Sequence, residues 1–129
     1  LGLRDLDNKT VEVARRDTKE KISFPDVNLV HRIEALLSEI QENMYKRALQ
    51  YRDAHITSTN SWDEFVLLLD EKGGFISAHW DGTSETEEMI KEKTKATIRC
   101  IPLNNPSESG FCIYSGKPST ERVLFARAY

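Results

Sequence analysis

Apolar and polar residues alternate over Thr10-Val11-Glu12-Val13-Ala14-Arg15 and again over Lys21-Ile22-Ser23-Phe24, the period of a half-buried strand. Asp17-Thr18-Lys19-Glu20 between them suits a hairpin loop, and Leu3 to Lys9 ahead of them is polar and turn-like. From Val30 the period changes. Apolar residues fall at Val30, Ile33, Leu37, Ile40 and Met44 and close at Ala48 and Tyr51, in alternating steps of three and four that form one stripe down a helix. Ser23-Phe24-Pro25-Asp26 supplies its start, with Ser23 as cap, Pro25 in the first turn and Asp26 at the positive helix end. Running to about Ala54, this helix would be roughly 40 Å long at 1.5 Å per residue. That is longer than a small domain needs and suggests a connector lying across other domains.

Thr57-Ser58-Thr59-Asn60 is a polar break. Ser61-Trp62-Asp63-Glu64 then reads as a capping box opening a short helix that buries Phe65, Leu68 and Leu69 and stops at Gly73-Gly74. Phe75 to Trp80 is strand-like, Asp81-Gly82 turns, and Ser84-Glu85-Thr86-Glu87 is a second capping box for a helix burying Met89 and Ile90. Ala96 to Ile101 is a strand stopped by Pro102, Leu103 to Ser109 a surface loop, and Phe111 to Tyr114 and Arg122 to Tyr129 the last strands. The order implies an α+β fold, a small mixed β-sheet with helices packed on one face, preceded by the long helix and the hairpin. If the strands of Phe75 to Ile101 lie parallel in one sheet, their crossover is right-handed.

Composition narrows the function classes. The 129 residues carry 18 Lys and Arg against 21 Asp and Glu, a net charge of −3, so no global basic field advertises nucleic acid and any such contact must be local. The most basic stretch holds Arg4, Arg15, Arg16, Lys19 and Lys21, where Arg and Lys suit phosphate contacts that position a nucleic-acid backbone without reading bases; a solvated hairpin face is the plainer reading. No apolar run approaches the roughly 18 residues of a membrane span, and a cytosolic setting is the default. Leu1 to Phe24 has too few apolar residues to enclose a core, so the chain reads as cut from a longer protein.

Catalytic motifs are wanting. There is no nucleophile elbow, no phosphate-binding glycine loop and no dinucleotide fingerprint, and His31, His55 and His79 have no nucleophile beside them in sequence. Glu85, Glu87 and Glu88 fall in the first turn of a helix, where the dipole favours carboxylates. Two cysteines twelve apart, Cys100 and Cys112, are too few for a disulfide scaffold. Cys112-Ile113-Tyr114-Ser115-Gly116-Lys117 has the outline of a zinc knuckle, C-x-x-C-G-K, with serine for the second cysteine, and Asp81 and Thr86 would form the matching half. A hydroxyl stays protonated near neutral pH and lacks a thiolate's charge, so this set is a poor zinc site.

Gly74-Phe75-Ile76-Ser77-Ala78-His79-Trp80-Asp81-Gly82, Thr94-Lys95-Ala96-Thr97-Ile98-Arg99-Cys100-Ile101-Pro102, Gly110 to Pro118 and the closing Leu124-Phe125-Ala126-Arg127-Ala128-Tyr129 resemble the C-terminal domain of prolyl-tRNA synthetase of the archaeal and eukaryotic type, which some bacteria also use. Thr10 to Thr18 resembles the end of that enzyme's anticodon-binding domain, and Ile40 to Ala48 the helix that joins the two.

The resemblance implies a division into 1–25, the terminal strands of an α/β anticodon-binding domain; 26–58, a connecting helix and linker; and 59–129, the C-terminal domain. It implies a class II ligase that activates proline with ATP and Mg²⁺ and loads it onto tRNA(Pro), with a homodimeric full-length protein. The catalytic domain would precede Leu1, so the chain alone needs no cofactor. The family's zinc cysteines correspond to Asp81, Thr86, Cys112 and Ser115, and its terminal tyrosine, here Tyr129, turns its carboxylate towards the active site. Arg4, Arg15, Arg16 and Lys19 are the expected tRNA contacts. The alternatives are a stand-alone module that docks onto protein or RNA without ligase activity, and a degenerate zinc-ribbon RNA binder, which the near balance of charge disfavours.

Overall fold

A computed structural model describes residues 2–128, which fall into two compact units, Leu1–Tyr51 and Arg52–Tyr129. In the first, β1 (Thr10–Ala14) and β2 (Lys21–Pro25) pair antiparallel, from Thr10 opposite Pro25 to Ala14 opposite Lys21. This register sets Val11 against Phe24 and Val13 against Ile22, all half-buried.

Three expectations for this unit need correction. The polar Leu3 to Lys9 stretch is a helix, α1 (Leu3–Asn8): the Asp5 carboxylate accepts the Gly2 amide at 2.8 Å, and Lys9, left-handed at φ 50°, closes it. Ser23 and Pro25 do not open the long helix. Both are spent on the ladder with β1, and the Asp26 amide donates to the Lys9 carbonyl at 3.0 Å. The helix, α2 (Leu29–Ala54), begins after Asn28, which adopts φ 57°. Its 26 residues give the expected length of about 39 Å. Its buried side is rotated from the expected stripe: Leu36 is buried and Leu29, Ile33, Ile40 and Asn43 half-buried, whereas Val30, Leu37, Met44 and Tyr51 are exposed. The hairpin is the cause, because Phe24 and Ile22 lie beside Arg32, Ala35 and Leu36.

The second unit holds β3 (Ile56–Ser58), α3 (Trp62–Glu71), β4 (Phe75–His79), α4 (Ser84–Thr94), β5 (Ala96–Cys100), β6 (Gly110–Phe111), β7 (Pro118–Ser119) and β8 (Arg122–Arg127). Four strands form one mixed sheet in the order β3-β4-β8-β5, with β3 parallel to β4 and β8 antiparallel to both β4 and β5. The strands flanking α4 are therefore parallel, but the last strand of the chain lies between them. β3 was read as a polar break. It is a three-residue edge strand whose Thr57 hydroxyl accepts from the Lys72 ammonium at 2.7 Å, so it needs little apolar content. β6 is shorter than expected, since Cys112 to Ser115 bends away as a turn, and β6 pairs with the unforeseen β7.

Ile76 sits opposite Phe125 and Ala78 opposite Val123, which puts all four on one face of the sheet. Phe65 and Leu69 from α3 and Ile90 from α4 close over that face, giving the α+β arrangement with helices on one side. Phe65 and Phe125 are fully buried and meet edge to face, ring centroids 5.3 Å apart. Ser61 caps α3 as expected, accepting from the Glu64 amide; Glu64 itself takes the Thr59 hydroxyl instead of reaching back to Ser61. Gly74 is required where it stands: at φ 78° a Cβ would lie 2.7 Å from the His55 carbonyl oxygen.

Phe65→Ala removes the ring through which α3 packs against the sheet, and about 3 to 5 kcal/mol of unfolding free energy should be lost. Urea denaturation of the chain measures this, and a loss under about 1 kcal/mol would contradict the assigned core.

Candidate functional site

Three of the four knuckle positions, Asp81, Thr86 and Ser115, come together around the Asp81 carboxylate. Asp81, in the turn after β4, accepts the Ser115 hydroxyl at 2.6 Å and the Thr86 hydroxyl at 2.9 Å on Oδ2. Its Oδ1 accepts the Thr83 hydroxyl at 2.8 Å and the Thr83 amide at 3.2 Å. Four donors saturate the acceptor sites of a carboxylate. Burial alone would raise the pKa of Asp81; the hydrogen bonds from Ser115, Thr83 and Thr86 together outweigh it and bring the value down to about 2.

Local sequence explains the geometry. Thr83, not Ser84, caps α4 by accepting the Thr86 amide, which shifts the expected capping box by one residue and brings Thr86 to the first turn facing Asp81. Opposite, the Cys112 amide donates to the Lys117 carbonyl at 2.8 Å and the Gly116 amide to the Cys112 carbonyl at 3.0 Å, closing the turn that carries Ser115. Gly116 adopts φ 68°, as a tight knuckle turn requires. Cys112 is buried and Cys100 exposed, both as free thiols.

Zinc does not fit this donor set. The Thr86 and Ser115 hydroxyl protons are already directed to Asp81, leaving one thiol and one saturated carboxylate. Among the described residues, no group of three or more His, Cys, Asp or Glu could hold a metal ion.

Behind the knuckle lies a cluster that sequence reading missed. His79 is buried with Nδ1 3.3 Å from the Ser119 oxygen and Nε2 3.7 Å from Glu108. Arg122 pairs with Glu108 at 2.8 Å and donates to the Ser77 and Thr59 carbonyls and the Asn60 side chain. Asn105 adds a bond to the Arg122 carbonyl, so the loop before β6 is tied to the sheet. Arg122 draws the Glu108 carboxyl below its ordinary pKa. Ser119 and His79 do not make a nucleophile and base: the hydroxyl is buried and points its proton at the Trp80 carbonyl, 2.6 Å away. No spacing rule links positions 79, 108, 119 and 122, so sequence offered no signal for them. A cleft of about 510 Å³ beside this cluster is lined by Trp80, Phe111, Pro118 and Glu121 among others.

In the first unit, the expected cations separate. Arg4, Arg16 and Lys19 are exposed. Arg15 is buried, its guanidinium held by Asp17 at 2.8 Å and Glu39 at 2.6 Å. Tyr129 lies outside the described residues.

Comparison with known proteins now bears on these features. A family model described as "Prolyl-tRNA synthetase, C-terminal" matches residues 62–129. The chain belongs to that family. Proline–tRNA ligase of Cytophaga hutchinsonii is 60% identical over 129 residues, and that of Flavobacterium psychrophilum 57%. Proline–tRNA ligase of Porphyromonas gingivalis is 54% identical over the same length. Each match takes in the whole of this chain and 26% of the relative, so the chain spans about a quarter of the length of the curated relatives it matches. The family model covers β4, β5 and β8 of the sheet, the knuckle, and His79, Glu108, Ser119 and Arg122, all within residues 62–129.

Asp81→Asn should cost about 1 to 2 kcal/mol, the value of losing charge-assisted acceptors on a partly solvated group. The folded pKa of Asp81 lies below that of an unfolded aspartate, about 3.9. Its stabilisation is therefore full above about pH 4 and fades as pH falls towards 2. Denaturation midpoints of parent and variant should converge over that window, and a constant gap would refute the clasp.

Proposed function

We propose that the chain is the C-terminal part of a proline–tRNA ligase of the archaeal and eukaryotic type, which activates proline with ATP and Mg²⁺ and transfers it to tRNA(Pro). The observation that carries the reading is identity of 50% or more along all of this chain to eight proline–tRNA ligases. In this reading residues 1–25 complete an anticodon-binding domain, 26–58 connect, and 59–129 form the C-terminal domain. In this reading the described residues contribute no catalytic centre. The chain supports tRNA binding through exposed cations of the hairpin unit and supports the distant active site through Tyr129. The full-length protein works as a cytoplasmic homodimer. No helix among the described residues is long and apolar enough to cross a membrane.

The division of labour suits the chemistry. β8 runs between β4 and β5, and Arg127 at its end donates to the Thr94 carbonyl at 2.6 Å and pairs with Asp70 at 2.7 Å. The chain leaving β8 towards Tyr129 thus starts from a fastened point, which a residue meant to act at a distance requires.

Deleting Tyr129 from the full-length protein should lower the rate of prolyl-tRNA formation while the thermal melt stays unchanged. Equal aminoacylation would remove the terminus from the mechanism, and absence of any proline charging by the parent protein would overturn the ligase reading in favour of an interaction module.

A further inference from the structure

Asp17 is the anomaly of the first unit. Aspartates in hairpin loops ordinarily serve turn geometry and face water. The side chain of Asp17 is only 1% exposed. Its carboxylate accepts both arms of Arg15, Nε at 3.1 Å and Nη2 at 2.8 Å, and the Asn43 amide at 2.7 Å. Arg47 donates to its carbonyl oxygen at 3.2 Å, and Arg15 reaches on to Glu39 at 2.6 Å. Glu39, Asn43 and Arg47 are spaced by four and lie on one side of α2. One helix face therefore grips one loop through a single buried carboxylate, which the Arg15 guanidinium and then Asn43 hold well below the usual carboxylate range.

The residues on either side of this grip are cations. Arg16 and Lys19 are exposed, and neither has an ion pair or side-chain hydrogen bond among the described residues. Lys19 stands at φ 65°, a left-handed position where glycine would sit without steric cost. Of the nearby carboxylates, Glu39 is taken by Arg15 and Glu42 by Lys46 at 2.7 Å, which leaves Glu20. The local excess of positive charge is small, so long-range attraction to a polyanion is weak and affinity depends on a loop backbone already held in the shape that presents the cations.

We infer that the Arg15–Glu20 loop is a preorganised docking surface for the phosphate backbone of a folded RNA, contacted by Arg16 and Lys19, and that Asp17 is the residue that positions both. Arg15 then contributes from inside, through Asp17, and touches no phosphate. The inference rests on the tRNA-binding reading above, and its failure is separable from the failure of that reading.

The test uses the full-length ligase and tRNA binding measured across a salt series. Arg16→Ser with Lys19→Ser should weaken binding and lower the slope of log affinity against log salt by about two. Asp17→Asn should raise the KM for tRNA by about three- to tenfold at unchanged kcat, and should have no further effect when Arg16 and Lys19 are already serine. Asn43→Ala, which removes one donor to the same carboxylate, should act in the same direction and carries the test if Asp17→Asn does not fold. Parent-like binding by the Arg16 and Lys19 double variant overturns the tRNA-contact reading and this inference with it. Weakened binding by that double variant, with parent-like binding by Asp17→Asn and Asn43→Ala, overturns the positioning role alone. A loss on Asp17→Asn that is equally large in the double-variant background shows a merely structural role and also overturns it.

Discussion

A carboxylate with every acceptor position filled holds the loops at one end of the four-stranded sheet. Asp81 gathers donors from its own turn, from the first turn of α4 and from the turn between β6 and β7. A tetrahedral metal would join the same segments by four bonds to one centre. Here the centre is an anion and the four arms are proton donors, which explains how threonine and serine can occupy positions that a zinc ion would refuse. The link therefore depends on one ionised carboxylate.

The same device recurs in the first unit with a different outcome. Asp17 is deeply buried and paired with a guanidinium, so it fastens a loop that would otherwise be free to sample many conformations. Arg122 is the converse case, a donor hub that ties Glu108, Asn60 and the carbonyls of Ser77 and Thr59. In both units the apolar core decides which elements form, and charged hubs decide how the connecting loops are presented. Ordering a loop beforehand lowers the entropic cost of any contact it goes on to make.

Much of this was legible in the residues. Strand alternation at Thr10 to Ala14, the caps and glycine stop of α3, and the apolar positions Phe65, Leu69 and Ile90 all declare themselves through local period and chemistry. The long helix was readable in extent but not in orientation, because the 3–4 stripe through Val30 and Leu37 is not the side that the hairpin covers. Ser23 and Pro25 are good helix starters that strand pairing claimed first, a case of tertiary contact overriding local propensity. β3 carried too little apolar signal to be seen, and α1 is mostly polar, with Asp5 in its first turn and Lys9 at its close. The four knuckle residues could be named from resemblance, yet the bonding of Thr86 and Ser115 to Asp81 could not, and the partnership of His79, Glu108, Ser119 and Arg122 joins strands and a loop far apart in sequence. Arg15 looked like its neighbour Arg16 in sequence; only burial separates them.

The central claim is that hydrogen bonds to Asp81, and no metal, close the knuckle. Elemental analysis of the purified chain, paired with thermal melts in the presence of added zinc and of a chelator, tests it most directly. The account predicts no stoichiometric zinc and a melt indifferent to both additions. One zinc per chain, with a melt that falls on chelation, would mean that Cys112 and Asp81 recruit further ligands and that the hydrogen-bonded clasp is not what holds these loops.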